Sequence, residues 1–468
     1  MCLGSLDVKK IRIIKATLSN CINDLINNHR DILCKCPEKD FTRNRDFTAM
    51  KTISTLIRFE SKNAESELIR ILHCENSAKN INAAFLQQRK KLTEECFPYL
   101  FRQFSEALTH DKSLGICDKL CYGMHVLAAD GSDVNVAYNP NDPLTYIEKK
   151  DKRGYNQIHL NAMYDVCTGM WMAASIQGIH KKQERKALVE MIGQLQNPEK
   201  CIITADRGYE SYNVFAACKE VGAKFVIRLK DIESNGIISS HHFPDEEFDC
   251  SFSTTLTKKR TKETTTNTDT YTILPYYTDF DFFDSKEKTY NITLRIVRFR
   301  LPNGSYVAVA TNLDKNKFSM EVIREIYHRR WSCEVGFRCL KYTIGLVNFH
   351  SWKMQYIKQE VFARLILHNF CSAVISTISP REQNKTEDVP TEDVSSVSED
   401  KNDCEKKRGI AFTNAVTVCR ELLDNNKAAF IKRAIQTIRA HTYEYKVNRT
   451  YTRNVKPKSN KPFGYKAS

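Results

Sequence analysis

Apolar and polar positions follow two different periods along the chain, and the period changes near residue 124. Residues 1–120 carry apolar side chains at the three- and four-residue spacing of amphipathic helices, with many Lys and Arg between them. Beyond residue 124, short apolar runs bounded by turn residues alternate with helical stretches. This order predicts a helical N-terminal region followed by a mixed α/β sheet flanked by helices.

The predicted sheet begins with the apolar run "MHVLAAD", which ends at Asp130. Two strand-like runs on either side of Thr168 and Gly169 predict an antiparallel hairpin. A further run, "KCIITAD", ends at Asp206 and precedes a predicted helix at 210–221 and the strand "KFVIRLK". Strands that alternate with helices after an opening hairpin favour a sheet with both parallel and antiparallel pairs.

Changes in composition divide the rest of the chain. Residues 231–304 are rich in Thr, Ser and aromatic residues and predict a β-rich insertion, while the acidic stretch at 381–408 has few large apolar residues and predicts a disordered loop. The predicted organisation is a helical region at 1–120, an α/β domain at 121–230 and 305–350, the insertion at 231–304, C-terminal helices at 351–380 and 409–442, the acidic loop at 381–408, and a basic tail at 443–468.

Composition and charge indicate a folded protein with a polyanionic partner. The 468 residues are 41% hydrophobic, and 71 Lys and Arg against 56 Asp and Glu give a formal net charge of +15. The longest apolar stretch, 361–378, is interrupted by Arg364, His368 and Asn369, so we expect a buried helix and no membrane association. The first residues lack the pattern of a signal peptide, which predicts a cytoplasmic protein.

The 17 cysteines do not form a metal-binding or disulfide pattern. No Cys-x-x-Cys occurs, and the closest pairs are Cys34 with Cys36 and Cys117 with Cys121. We therefore expect reduced and mostly buried thiols.

Basic residues in the N-terminal region and the tail are candidates for phosphate contacts. Plain solvation explains any one of them equally well, and the tail from Tyr443 is either an arm lying on a polyanion or a frayed end. The N-terminal candidates are Arg43, Arg45, Lys51, Arg58, Arg89, Lys90 and Lys91.

Asp130 and Asp206 each follow an apolar strand directly and precede a glycine by one or two residues. Ligand sites in open α/β sheets collect at the carboxyl ends of strands, so these two carboxylates are candidates for one site. Asp and Gly are also ordinary turn residues, and Asp133 and Asp165 are competing candidates.

A third acid lies in the segment "YHRRWSCEVGFRCLK", residues 327–341. On a helix, Tyr327, Arg330, Glu334 and Lys341 fall within an arc of roughly 60°. An ordinary charged helix with an Arg330–Glu334 pair is the simpler explanation. Combined with the strand-end acids, however, this face predicts a site where carboxylates hold a cation and basic groups meet an anion.

Asp130, Asp206 and Glu334 together would supply the hard oxygen ligands that suit Mg²⁺ or Mn²⁺. Two such ions activate the attacking oxygen and stabilise the leaving oxygen in phosphoryl transfer. The neighbouring Arg330, Lys341 and Tyr327 would then contact phosphate.

The chain resembles the bacterial insertion-sequence transposases of the DDE class with the signature Tyr-x2-Arg-x3-Glu-x6-Lys, the fourth insertion-sequence family. That signature is complete in residues 327–341, with Trp331 after the Arg. "DGS" at Asp130, "TADRGYES" around Asp206, "TNL" at 311–313 and "NFHS" at 348–351 follow in family order. The similarity extends from "DFTRNRDFT" to the basic tail.

The resemblance implies a ribonuclease H-like fold, a metal-binding triad of Asp130, Asp206 and Glu334, and an N-terminal region that binds the element's ends. It also implies that Tyr327, Arg330 and Lys341 contact the end of the element, and that Trp331 stacks near a displaced base. The expected reaction is metal-dependent nicking at the ends of the element, followed by attack of the 3′-hydroxyl on target DNA. The expected assembly is a homodimer with double-stranded DNA, associated with the nucleoid.

Two alternatives remain open on the sequence. The first is a ribonuclease H-like nuclease without strand transfer, and the second is a non-catalytic DNA-binding protein derived from a transposase. The acidic segment at 381–408 departs from the family pattern, and the sequence does not indicate its role.

Overall fold

Six helices form the N-terminal region as far as its residues are described. The computed structural model describes residues 3–43, 45–72, 81–150, 153–240, 243–378 and 408–444, so most of the predicted acidic loop and basic tail lies outside the described residues. The N-terminal helices are α1 (Leu3–Asn28), α2 (Arg30–Leu33), α3 (Ala49–Arg58), α4 (Ala64–Leu72), α5 (Ile81–Arg89) and α6 (Cys96–His110).

The elements after residue 124 alternate as the sequence predicts. The first group is β1 (His125–Val136), β2 (Tyr146–Ile147), β3 (Tyr155–Asp165), β4 (Met170–Gly178), α7 (Glu184–Ile192), β5 (Cys201–Ala205), α8 (Tyr212–Glu220) and β6 (Lys224–Arg228). The second group is β7 (Phe248–Thr257), α9 (Lys262–Thr266), β8 (Tyr271–Ile273), β9 (Thr289–Arg300), β10 (Tyr306–Thr311), α10 (Met320–Arg329), α11 (Ser332–Arg338) and α12 (Met354–Thr377). The last described elements are β11 (Arg408–Ile410), α13 (Phe412–Asp424), α14 (Ala428–Ala440) and β12 (Thr442–Glu444).

The central sheet has the strand order of a ribonuclease H-like fold. Strand β3 pairs antiparallel with β4 on one side and with β1 on the other, and β1, β5 and β6 are parallel neighbours. The order β4-β3-β1-β5-β6 therefore consists of an antiparallel meander joined to two parallel strands with helical crossovers. This confirms the predicted α/β class and fold.

The strands between residues 231 and 304 extend the same sheet. Strand β10 pairs antiparallel with β6 and also with β9, and β7 and β8 continue beyond β9. Among the described residues, strands β1 to β10 together form one ten-stranded sheet. The β-rich segment thus lengthens the sheet on the side away from the β3–β4 hairpin.

Helix α12 connects the N-terminal helices to the sheet. It packs against α1, α3, α6, α13 and β4, and nearly all of its side chains are buried. The amide of Asn369 bonds Ser105 Oγ at 2.8 Å and the carbonyl and amide of Trp171 at 2.7 and 2.8 Å, so the helix is tied to α6 and β4 at once. In the described part of the chain, no helix combines the length and apolarity needed to cross a membrane.

The segment at 327–341 forms two helices instead of the single predicted one. Helix α10 ends at Arg329, and the amides of Arg330, Trp331 and Cys333 bond carbonyls three residues earlier at 3.0–3.2 Å. This tighter turn separates the two helices, and a π-helical turn at Cys339–Thr343 follows α11. The predicted continuous face is therefore divided, with Tyr327 on α10 and Glu334 on α11.

Candidate active site

Asp130 and Asp206 lie next to each other at the centre of the sheet. In the parallel pair β1 and β5, Ala129 is aligned with Ala205, and each aspartate is the next residue. Neighbouring strands are about 4.8 Å apart, so the two aspartates leave the paired region at the same level. The fold places the two aspartates side by side, but the predicted strand end at Asp130 is wrong, because β1 continues to Val136 in its pairing with β3.

Each aspartate is fixed by a backbone N–H that follows it. Asp130 accepts a hydrogen bond from the Gly131 amide at 2.8 Å, and Asp206 accepts one from the Gly208 amide at 2.8 Å. The second bond caps the short 3₁₀ turn at Arg207–Tyr209. Asp130 is thereby held within β1, just beyond its pairing with β5, and Asp206 is held directly after β5.

Burial raises the pKa of Asp130 to about 6. The Gly131 amide and Arg330 lower the pKa of this carboxyl in part, while the negative charges of Asp206 and Glu334 raise it. The pKa of Asp130 thus depends on the charges of both other acids of the predicted triad. An oxygen-rich site with such mutual repulsion is one that a cation would stabilise.

Close helix packing brings Glu334 toward β1. Helix α11 lies on β1 and β3, and a Cβ atom at Gly336 would be 2.9 Å from the Tyr164 ring and 3.2 Å from Trp171. The absence of a side chain at Gly336 therefore permits the short approach. Glu334 itself projects toward solvent with 42% of its side chain exposed.

Arg330 is the cation nearest these acids. Its side chain is only 8% exposed, and its guanidinium lies 4.0 Å from the Glu334 carboxylate. Burial alone would lower the pKa of Arg330, but Tyr327, Asp130 and Asp206 raise it overall. Its Nε is buried without a hydrogen-bond partner. Arg330 is thus a buried positive charge with remaining donor capacity.

The other members of the signature lie around Arg330. Tyr327 is 7% exposed and packs in the apolar cluster beneath β5 and β6, 5.7 Å from the Arg330 guanidinium. Lys341 Nζ donates to the Asp133 carbonyl at 2.7 Å. Trp331, in contrast, is 51% exposed. Tyr327 is thus buried, Lys341 is partly exposed where it bonds the β1 backbone, and Trp331 faces solvent.

The residues around the acids favour a hard cation over zinc. Burial raises the pKa of Cys333 well above its ordinary value, so this neighbouring thiol remains protonated. Carboxylate oxygens are then the main donors, which fits Mg²⁺ or Mn²⁺. Within the described residues, no three His, Cys, Asp or Glu side chains lie close enough together to form a complete ligand set.

The two competing aspartates have other partners. Asp165 is fully buried at the opposite end of β3, where it contacts His125 Nδ1 at 2.9 Å and accepts a bond from Thr168 at 2.8 Å. Asp133 lies 2.6 Å from His159 Nδ1. Asp165 therefore stabilises the far end of the hairpin, and Asp133 belongs to the wall of the candidate site.

Three residues near the acids were not identified from the sequence. His159 bridges Asp133 and Glu184, with Nε2 3.1 Å from the Glu184 carboxylate, and both lie beside Gly131. Tyr209 is electrostatically coupled to Asp130, Asp206 and Glu184. The sequence "DRGY" was a signal for Tyr209, but nothing local connects β3 or the start of α7 with this site.

Two of the seven basic N-terminal candidates are structural. Arg89 is 1% exposed and forms an ion pair of 2.9 Å with Glu360, and Arg58 is paired with Asp424. Their proposed phosphate contacts are wrong, because both cations are already engaged with helices of the C-terminal part. The side chains of Arg43, Arg45, Lys51 and Lys90 remain exposed.

A family model and a solved structure are similar to this chain. The sequence model of the family described as "Transposase DDE domain" matches residues 122–370, which include Asp130, Asp206 and Glu334. No curated protein matches the chain. Among solved structures, the chain is similar to a piggyBac transposase in a synaptic complex with hairpin DNA, with 11% identity, a TM-score of 0.40, and coverage of 92% of this chain and 82% of that one.

Proposed function

Because the chain belongs to the family of transposases with a DDE domain, it is an enzyme that binds DNA and acts in its transposition, and we propose that it is an insertion-sequence transposase of the Tyr-Arg-Glu-Lys type. The complete signature in residues 327–341 supports this subgroup. Enzymes of the DDE family generally use divalent metal ions.

In this proposal, Asp130, Asp206 and Glu334 hold two Mg²⁺ or Mn²⁺ ions. The single observation that carries it is the register of β1 and β5, in which Ala129 is aligned with Ala205 and each aspartate is the next residue of its strand or turn. The ions would supply a more nucleophilic oxygen and stabilise the leaving oxygen. Glu334, half-exposed on α11, would complete the ligand set from the helix side.

The remaining signature residues bind and orient the DNA. The buried guanidinium of Arg330 donates to a phosphate oxygen, with support from Lys341 and the Tyr327 hydroxyl. Water attacks the phosphodiester bond at the end of the element and releases a 3′-hydroxyl, which then attacks a phosphodiester bond of target DNA and displaces its 3′-oxygen. Trp331 stacks on a base near the cut.

The proposed assembly is a homodimer that holds two element ends. The exposed basic residues Arg43, Arg45, Lys51 and Lys90 support end binding by the N-terminal helices, because exposed cations favour contact with a phosphate backbone. In this proposal, residues 1–120 recognise the end sequence and the ribonuclease H-like domain cuts it.

Cleavage of DNA that carries the ends flanking the gene tests the proposal. With Mg²⁺, the wild type should nick at the end and join the 3′-hydroxyl to a target plasmid, whereas Asp206→Asn and Glu334→Gln should bind DNA but neither cut nor join it. Asp279→Asn, an exposed acid on the insertion, serves as the matched control. Unchanged cleavage in either site variant would overturn the triad.

The same assay separates the two alternatives. Cleavage without joined products would favour a nuclease, and binding without cleavage in the wild type would favour a non-catalytic derivative. Joined products that depend on Asp206 support the transposase.

A further inference from the structure

The hydroxyl of Tyr209 is buried without a hydrogen-bond partner. Tyr209 is 2% exposed, and its ring packs in the apolar cluster formed by α7, α8 and one face of the sheet. Its hydroxyl oxygen is among the buried polar atoms that have no partner. Leaving such a group unpaired costs about 1–3 kcal/mol, so its presence calls for an explanation.

The charges around this hydroxyl are carboxylates. Burial raises the pKa of Tyr209 well above its ordinary value, and the negative charges of Glu184, Asp130 and Asp206 raise it further. The hydroxyl therefore keeps its proton and is a hydrogen-bond donor. This buried hydroxyl bonds none of these carboxylates and no other protein group, so a water molecule can serve as its acceptor.

Helix α7 and the turn after β5 fix the position of Tyr209. Arg185 Nε donates to the Gly208 carbonyl at 2.9 Å. Oε2 of Glu184 lies 3.9 Å from the point that a Cβ atom would occupy at Gly208. Glu184 is itself oriented by His159 at 3.1 Å and by Lys182 at 2.9 Å. The turn that carries Tyr209 is thus bonded to α7 through Arg185, and the neighbouring Glu184 carboxylate is held by His159 and Lys182.

We propose that Tyr209 is a positioning residue whose hydroxyl donates a hydrogen bond to a water molecule that enters with the divalent cation of the Asp130–Asp206 site. Mg²⁺ and Mn²⁺ retain coordinated water in such sites, and the water needs acceptors and donors around it. Tyr209 donates to this water, and the water donates its two hydrogens to two of the three neighbouring carboxylates, Asp130, Asp206 and Glu184. The inference rests on the proposed metal-binding role of Asp130 and Asp206.

Tyr209→Phe tests the inference because it removes one oxygen and leaves the packed ring. Since the hydroxyl has no partner, the metal-free variant should unfold at the same temperature as the wild type or slightly above it. Loss of a hydrogen bond around metal ligands typically weakens metal binding, so we expect a 10- to 100-fold higher Mn²⁺ concentration for half-maximal thermal stabilisation.

Tyr212→Phe is the matched control. Tyr212 is a neighbouring buried tyrosine whose hydroxyl bonds Thr272, away from the acids. Its loss should lower the metal-free unfolding temperature slightly and leave the Mn²⁺ dependence unchanged. A hydroxyl of only structural importance at position 209 would give this same pattern.

The outcomes separate this inference from the proposed function. If the wild type binds Mn²⁺ and Asp206→Asn does not, while Tyr209→Phe binds as tightly as the wild type, the role of Tyr209 is overturned and the metal site stands. If the wild type and Asp206→Asn respond equally to Mn²⁺, the metal site and the role of Tyr209 both fail. A selective loss in Tyr209→Phe supports both.

Discussion

Asp130 and Asp206 stand one residue beyond the same register pair of two parallel strands, although 75 residues of chain separate them. Their proximity is a property of the sheet, because the register of β1 and β5 sets the level at which the pairing of these strands ends. Besides burial, the negative charge of Asp206 therefore raises the pKa of Asp130.

Asp130→Asn should stabilise the metal-free protein while abolishing cleavage. The amide retains the shape of the carboxyl and removes a buried charge that Asp206 and Glu334 repel, so we expect a gain of about 1 kcal/mol in the free energy of unfolding. Thermal unfolding in EDTA at neutral pH measures this gain. The exposed control Asp279→Asn should change neither stability nor cleavage, and a destabilised Asp130→Asn would contradict the repulsion argument.

Gly336→Ala should destabilise the protein and reduce cleavage together. The new methyl group would meet the buried Tyr164 ring at 2.9 Å and push α11 away from β3, at a cost of about 1–3 kcal/mol. Gly193→Ala is the matched control, because Gly193 has φ −64° and no atom within 3.4 Å of its Cβ position. There we expect a neutral or slightly stabilising effect. Urea unfolding and a DNA nicking assay measure both variants.

The apolar starts of the strands and the signature of residues 327–341 could be identified because their signals are local. An apolar run followed by Asp and Gly marks the end of β5 but not that of β1, which continues to Val136, and helical spacing relates Arg330 to Glu334. The break between α10 and α11 was missed, since Arg330 and Trp331 have helical backbone angles and no Gly or Pro marks the tighter turn.

The other parts of the candidate site depend on long-range pairing. His159 reaches Asp133 only because β3 pairs with β1 in the register that places them opposite each other. Similarly, the neighbours Arg89 and Lys90 are both positively charged, and the sequence does not distinguish them. Arg89 is buried and Lys90 is exposed because of the face that α5 packs against α12. Tertiary packing sets both outcomes.

The ion pair between Arg89 and Glu360 should be far more important for stability than an exposed pair on the same helix. Both side chains are 1% exposed, and Arg89 also bonds Gln359 and the Tyr356 carbonyl. Arg89→Met would leave a buried carboxylate with fewer partners and should cost about 3–5 kcal/mol.

An exposed pair on α12 provides the control for Arg89. Lys358 lies 3.1 Å from Glu94, and both side chains are substantially exposed. Lys358→Met should change the free energy of unfolding by less than about 1 kcal/mol. Urea titrations of the two variants compare the effects directly, and similar losses would refute the importance of burial.

His350 makes the stability of the α4–α12 contact depend on pH. Burial alone would lower the pKa of His350, but its contacts with Glu360 at 3.1 Å and Glu67 at 3.3 Å raise it above the ordinary value of about 6.5. Because the pKa of His350 is raised in the folded state, the protonated imidazole stabilises the fold. This contribution is complete below about pH 6.5 and is lost as the pH rises through the folded-state pKa.

The pKa of Glu360, the partner of His350, sets the lower end of the pH range in which this contact contributes fully to stability. Burial alone would raise the pKa of Glu360, but Arg89 and His350 lower it to about 2. Its contribution is present above pH about 4.5 and is lost as the pH falls toward 2. The contributions of His350 and Glu360 are therefore both complete between about pH 4.5 and 6.5.

Urea midpoints from pH 4 to 9 measure this dependence. His350→Gln should reduce the decline on the alkaline side, whereas His328→Gln, at an exposed position on α10, should follow the wild type. An alkaline decline of the same size in all three proteins would exclude His350 as its cause.

Trp331→Ala should impair DNA processing without affecting the fold. The ring is 51% exposed beside the Arg330 guanidinium, at 5.8 Å, so its removal leaves no cavity in the core. Stacking of a base on an aromatic ring contributes about 1–3 kcal/mol, and we expect a 5- to 100-fold lower rate of end cleavage with little change in unfolding temperature. Trp352→Ala, a control at a second exposed tryptophan just before α12, should retain the wild-type rate.

The DNA substrate provides a second test of stacking by Trp331. A pre-nicked or mismatched end reduces the cost of displacing a base, so it should partly restore the rate of Trp331→Ala. Equal defects on paired and mismatched ends would argue against stacking.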